Sequence, residues 1–113
     1  MKKTIPKKSK SIEPIISQYK KDLEQIYGGN MVGLILFGSY ANGLASRESD
    51  VDLLLVLSEA ASPTEEADKY LDTELKYLNE HELYLSTIAV SRETFENSTL
   101  PFYRNIRNEG INL

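Results

Sequence analysis

The sequence predicts a single α/β or α+β domain, and three observations carry that expectation. The chain has 113 residues, enough for one hydrophobic core and too few for two. Its apolar residues alternate between helix-like spacing and short continuous runs. Turn-forming glycines, serines and prolines fall between those segments. Composition agrees: 41% of residues are hydrophobic and 27% charged, with few glycines and prolines, which is the range of an ordinary globular protein.

The elements follow in order. From Ser11 to Tyr27, Ile12, Ile15, Ile16, Tyr19, Leu23 and Ile26 recur at helical spacing, and Gly28-Gly29 ends the run. Pro14 falls in the first turn, where its missing N–H costs nothing. MVGLILF, residues 31 to 37, is short and wholly apolar and reads as a buried strand. GSYANGLASRES is turn-rich, with room for one helical turn, and VDLLLVL, 51 to 57, is a second buried strand. Ser62-Pro63 followed by Glu65 and Glu66 opens a second long helix. Ala67, Leu71, Leu75 and Leu78 continue it at three- and four-residue spacing. LYLSTIAV, 83 to 90, is a third strand. Ser91 to Thr94 caps a short helix around Phe95, and Pro101 opens a last one near Phe102 and Ile106. The predicted order is α-β-β-α-β-α.

Charge divides the chain unevenly. Five lysines fall in the first ten residues, which hold no acid; the remainder carries 8 Lys/Arg against 17 Asp/Glu, a net of −9. Residues 1–10 are therefore expected to be a basic, flexible tail and residues 11–113 the domain. A body this acidic repels nucleic acid, so direct nucleic-acid binding is not expected. No apolar run is long enough to span a bilayer, and the basic start is not followed by the apolar stretch of a secretory signal. Cysteine is absent. That excludes disulfides, thiol nucleophiles and thiolate metal sites and fits a cytoplasmic address. One histidine, His81, is too few for a zinc cluster, so a metal here is expected to be held by oxygen.

The chemistry concentrates in GSYANGLASRESDVD, residues 38 to 52. Gly38 follows a strand and permits a turn that a side chain would forbid, letting a phosphate approach the main chain. Ser39 offers a hydroxyl and an N–H at the start of a helical turn. Gly43 allows a second sharp turn. By themselves glycine and serine after a strand usually make a plain turn. Asp50 and Asp52 are two apart at a strand entry, so both carboxylates face one way while Val51 faces the core. Paired carboxylates repel each other and are best tolerated with a cation between them. Mg²⁺ accepts a few carboxylates with substrate phosphates completing its shell. The structural alternative is a polar strand end beside Glu48 and Ser49.

Gly-Ser, ten residues, then Asp-Val-Asp between two strands resembles the signature of the DNA polymerase β-type nucleotidyltransferase superfamily. The likeness is nearest to its minimal members, small proteins that occur beside HEPN proteins. It covers the chain from the first helix to the end, including LSTIAVSRETF and PFYRNIRNEG. The resemblance implies a nucleotidyltransferase fold: a small mixed β-sheet with helices packed on one side. It implies that Gly38, Ser39, Gly43, Ser49 and Arg47 bind the nucleotide, with ATP or another nucleoside triphosphate as substrate. Asp50 and Asp52 would hold two Mg²⁺ ions and act in catalysis. An acceptor oxygen would attack the α-phosphorus and release pyrophosphate, a step in which the protein mainly positions groups and neutralises charge.

Two departures stand out. Asn42 occupies a position where such proteins commonly carry arginine, though Arg47 is nearby. Their third carboxylate usually lies on the next strand, where this chain offers only Glu82, at its start, with Tyr84 and Ser86 following on one face. Glu82 is thus the candidate third catalytic acid and, equally, a solvated helix-strand junction. So small a chain is expected to need an acceptor surface from a HEPN-type partner or from another copy of itself. The resemblance implies transfer of AMP to a hydroxyl of such a toxin. The competing reading is an antitoxin-like binding subunit that neutralises or scaffolds its partner by contact alone.

Overall fold

The computed structural model describes residues 3–46 and 48–113. Helix α1, Glu13–Tyr27, starts with Pro14 in its first turn and stops where Gly28 takes a positive φ of 54°. Strand β1 is Met31–Phe37, and a four-residue helix, α2, Ser39–Asn42, follows after Gly38. Strand β2 is Val51–Leu57 and helix α3 is Pro63–His81, capped by Ser62, whose hydroxyl accepts from the Glu65 N–H. Strand β3, Leu85–Ser91, leads directly into α4, Arg92–Asn97, capped by Ser91. Helix α5, Pro101–Glu109, and a two-residue strand β4, Ile111–Asn112, complete the chain.

The four strands form one mixed sheet in the order β3-β2-β1-β4. β2 pairs with β1 antiparallel and with β3 in parallel, and β4 pairs antiparallel with the far side of β1. The expected mixed sheet is present, but its helices are not confined to one side. On one face Leu34, Leu36, Val51, Leu53, Leu55 and Leu57 pack against Ile16, Tyr19 and Leu23 of α1 and Tyr70 and Tyr77 of α3. On the other, Ile35, Leu54, Val56 and Val90 pack against Ile106 of α5, with Phe95 of α4 and Tyr103 alongside. A central strand covered on both faces must be apolar at nearly every position, which is why β2 is buried throughout except at Asp52.

Three further expectations change. Residues Lys7–Ile12 form a 3₁₀ helix rather than a tail: Ile5, Ser9 and Ile12 are buried, and Ser9 donates to the Tyr40 carbonyl at 2.7 Å. The lysines of this segment point outward while its apolar positions pack, so counting charge alone misses the docking. On α3 the buried positions are Glu66, Tyr70 and Tyr77, and Leu71 and Leu75 are nearly half exposed. Glu66 is enclosed because its carboxylate accepts the Ala61 N–H at 2.8 Å and meets Lys69 at 3.1 Å, which ties the helix start to the preceding loop. β4 is too short to show a strand pattern in sequence. No helix is long and apolar enough to cross a membrane among the described residues.

Candidate active site

The site lies where β1 ends and β2 begins, at one end of the two central strands of the sheet. Antiparallel pairing aligns Phe37, the last residue of β1, with Asp52, and parallel pairing aligns Asp52 with Ser86 of β3. Asp52 thus sits between a phenyl ring and a hydroxyl on the sheet face that carries α4 and α5. Val51 is fully buried on the opposite face, so by strand alternation Asp50 shares the face of Asp52. Asp50 is exposed and Asp52 half-buried. Burial, and after it the charge of Asp50, raises the Asp52 carboxyl above its ordinary value. The protein has placed two like charges together where one is partly removed from water.

Gly38 connects the carboxylates to the phosphate-type turn. Its φ is 74°, in the region that favours glycine. A Cβ built there would overlap Asp52 Oδ2 and lie 3.1 Å from its Cγ. The aspartate therefore rests against bare backbone, and the glycine is required twice, for conformation and for space. Beyond it, Ala41 and Asn42 N–H both reach the Gly38 carbonyl, at 3.0 and 3.2 Å. The N–H groups of Ser39 and Tyr40 begin this turn and have no helical carbonyl behind them. With the Ser39 hydroxyl, they are the donors that such a turn can offer to an anion. Gly43 closes the turn in the left-handed conformation, φ 79°.

The described residues of the loop back to Asp50 are held by bonds among themselves and by the Tyr40 hydroxyl, which donates to the Ser46 carbonyl. Ser46 N–H donates to Ser49 Oγ at 2.9 Å, and Ser49 N–H donates to the Ser46 carbonyl at 3.1 Å. Asn42 Oδ1 accepts the Leu44 N–H at 3.0 Å. Ser49 is thus engaged in holding the turn that delivers Asp50. Arg47 lies outside the described residues. Glu82 caps α3 in the left-handed region, φ 53°, and is exposed. It stands four residues before Ser86, outside the strand ladder, so the position facing Asp52 is filled by Ser86. His81 is also exposed, and stacks on Tyr77 at 5.7 Å between ring centroids.

Two depressions flank the aspartates. One, between α2 and α5, is lined by Phe37, Gly38, Ala41, Asn42, Asn105, Ile106, Glu109 and Gly110. The other, on the β3 side, is about 310 Å³ and is lined by Asp50, Tyr84, Ser86, Thr87, Tyr70 and Glu74. Glu74 is the residue the sequence reading missed. Its Oε2 accepts the Thr87 N–H at 3.0 Å, and burial holds its carboxyl above the ordinary value despite that bond. Tyr19 and Tyr70 hydroxyls meet the Thr87 hydroxyl and carbonyl, each at 2.7 Å. Together they cap the outer edge of β3. The signal available in sequence was the spacing of Tyr70, Glu74 and Tyr77, which places all three on one helical face.

Among the described residues no three His, Asp or Glu side chains gather to hold a metal by themselves. Two adjacent carboxylates beside an anion-facing turn instead suit a cation that takes its remaining oxygens from a bound phosphate chain. Residues 16–111 match the family model described as a nucleotidyltransferase domain. This chain belongs to the nucleotidyltransferase domain family. It is 34% identical over 98 residues to a protein of Methanocaldococcus jannaschii named "putative protein adenylyltransferase", covering 86% of this chain and 93% of that one. A second protein of the same name and organism is 32% identical over 99 residues, 87% of this chain and 93% of its own. The protein adenylyltransferase MntA of Thermococcus cleftensis is 38% identical over 63 residues, 54% of this chain and 62% of that protein. The chain is a nucleotidyltransferase, and its family generally works with a nucleoside triphosphate and a divalent metal.

Proposed function

We propose that this nucleotidyltransferase moves AMP from ATP, with Mg²⁺, onto a hydroxyl of a partner protein, and that the partner is a HEPN-type toxin. The observation that carries the reading is the contact of Gly38 with the Asp52 carboxylate, which joins an anion-facing turn to a carboxylate pair in one unit. Asp50 and Asp52 would hold the metal. When bound, the metal supplies charge neutralisation for the phosphates and stabilises attacking and leaving oxygens. The Ser39 and Tyr40 N–H groups hold the β- and γ-phosphates at the end of β1. In-line displacement puts attacker and leaving group on opposite sides of the phosphorus. With pyrophosphate leaving on the Gly38 side, the acceptor approaches from the β3 side, over the depression that contains Asp50. The names of the relatives support a protein acceptor, and the acidic body suits a basic partner.

One observation favours a second reading. Ser86, not an acid, faces Asp52, and a serine is a poor proton acceptor for the attacking hydroxyl. A subunit that binds nucleotide and neutralises its partner by contact would need no such acid. Label transfer in native-host extract separates the two readings. With Mg²⁺ and ATP labelled on the α- or the γ-phosphate, transfer predicts a protein band that gains α-label only and loses it with Asp50→Asn. A co-purifying partner that gains no label supports the contact reading and overturns ours.

A further inference from the structure

We propose that Tyr84 is itself an acceptor, so that the chain attaches a nucleoside monophosphate to its own Tyr84 hydroxyl. This rests on the nucleotidyl transfer proposed above and adds a modification site to it. The argument begins with register. Val51 N–H donates to the Tyr84 carbonyl at 2.8 Å, and Val51 aligns with Leu85. Continuing that ladder by one residue sets Tyr84 beside Asp50, as Ser86 is set beside Asp52. Leu85 and Val51 are both buried on the α1 and α3 face, so alternation turns Tyr84 to the face of the two aspartates. Adjacent strands are about 4.8 Å apart, a distance a tyrosine side chain spans.

Availability is the second part. The hydroxyls of Tyr19, Tyr27, Tyr40, Tyr70 and Tyr77 each meet a partner within the protein. Tyr103 packs among α4 and α5. Tyr84 is 61% exposed, and its hydroxyl has no partner among the described residues. It lines the same depression as Asp50, at the outer edge of β3 where Ala67, Tyr70 and Glu74 of α3 also reach, and this is the side left to an in-line attacker in the proposed reaction. The step balances without further reagents. The Tyr84 oxygen forms a bond to the α-phosphorus, and the bond from that phosphorus to the bridging oxygen of the β-phosphate breaks. Pyrophosphate leaves, and the phenol proton passes to water.

The test uses the whole chain purified alone, incubated with Mg²⁺ and ATP, then measured by intact mass and peptide mapping. Thermal stabilisation by Mg²⁺-ATP is read in parallel. We expect one added AMP, mapped to Tyr84, absent with Asp52→Asn, and a modified fraction that does not depend on protein concentration. Stabilisation without added AMP, or AMP mapped to another residue, overturns Tyr84 as the acceptor while leaving nucleotide binding intact. A modified fraction that grows with protein concentration overturns the within-chain form. Neither stabilisation nor modification overturns the proposed function and this inference together.

Discussion

The two strands beside β2 build opposite kinds of surface next to the same aspartate. Toward β1, space is closed at the aspartate itself: Gly38 has no room for a side chain, the turn after it is bonded back on itself, and the depression beyond is only about 110 Å³. Toward β3, space is open: Tyr84 is exposed, Ser86 is half-buried, and the depression there is wide and shallow. A closed side suits a ligand whose geometry never changes, such as a triphosphate; an open side suits an acceptor that arrives on another surface. The difference shows why the motif can be rigid while the acceptor varies. It also says where substitutions should act on chemistry and where on stability.

The largest effect is expected at Asp52. Asp52→Asn should reduce transfer by at least ~100-fold, since it removes a charge that neutralises the reacting centre. The same change should raise the melting temperature of the ligand-free protein, because a half-buried carboxylate next to Asp50 is relieved of its charge. It should also abolish stabilisation by Mg²⁺-ATP. A melt series with and without nucleotide reads both, and a variant that keeps full stabilisation by nucleotide removes Asp52 from the metal site.

Next come the glycines. Gly38→Ala forces strain and overlap together and should cost about 1–3 kcal/mol of stability, along with transfer. Gly43→Ala has the same positive φ, yet the nearest atom to its Cβ is Pro6 Cβ at 3.5 Å. Its cost should stay near the conformational term alone, about 1 kcal/mol. Denaturant melts of the pair compare closed space on an extended positive-φ backbone (φ 74°, ψ −154°) with open space in the left-handed helical region (φ 79°, ψ 11°); equal losses would mean that neither the contact with Asp52 nor the rarer backbone at Gly38 contributes.

On the β3 side the expected loss is in folding. Thr87→Val leaves the fully buried Tyr19 without its hydroxyl partner, at a cost of about 1–3 kcal/mol, with transfer by the remaining folded protein unchanged. Activity that falls while the melting curve holds would mean that this polar edge belongs to the acceptor site.

How much of this the sequence disclosed depends on the range of the interaction. Gly38, Ser39, Asp50 and Asp52 are legible because the motif is local: a turn, a fixed spacing, a strand. β1 and β2 are legible because a short apolar run is itself the signal. VDLLLVL even carries the two-sided cover, since a strand buried on one face only would alternate. The sequence does not disclose which residue faces Asp52. That depends on the register of β3, and a one-residue slip exchanges Ser86 for Leu85 or Thr87. The face of α3 was missed for a related reason. Leu71 and Leu75 look like core, yet the tyrosines win it because their hydroxyls find partners at Asp22 and Thr87 while their rings pack.

The smallest expected effect is a pH dependence, and it tests the aspartate pair without ligand. Asp52 has its carboxyl raised above its ordinary value of about 3.8, so between that value and the raised one the folded chain holds a proton that the unfolded chain has released. Stability then falls as pH rises through this window, opposite in sign to a salt-bridged carboxylate. Asp22 shows the contrasting case. Burial acts to raise its carboxyl, but bonds from Tyr77 and Gln18 and the charge of Lys76 outweigh it and hold it low. Its contribution is present above its unfolded value and lost as pH falls through the folded one. Wild-type melts across acidic pH superimpose these slopes on that of Glu74, also raised by burial, and that of Glu66, held low; Asp52→Asn should reduce the falling limb and Asp22→Asn the rising one. Mg²⁺ added to wild type should flatten the falling limb as the Asn variant does, because a cation at the pair neutralises the same charge. A falling limb left unchanged by Asp52→Asn would place the strain elsewhere, at Glu74, and leave the pair without the electrostatic reason for a metal.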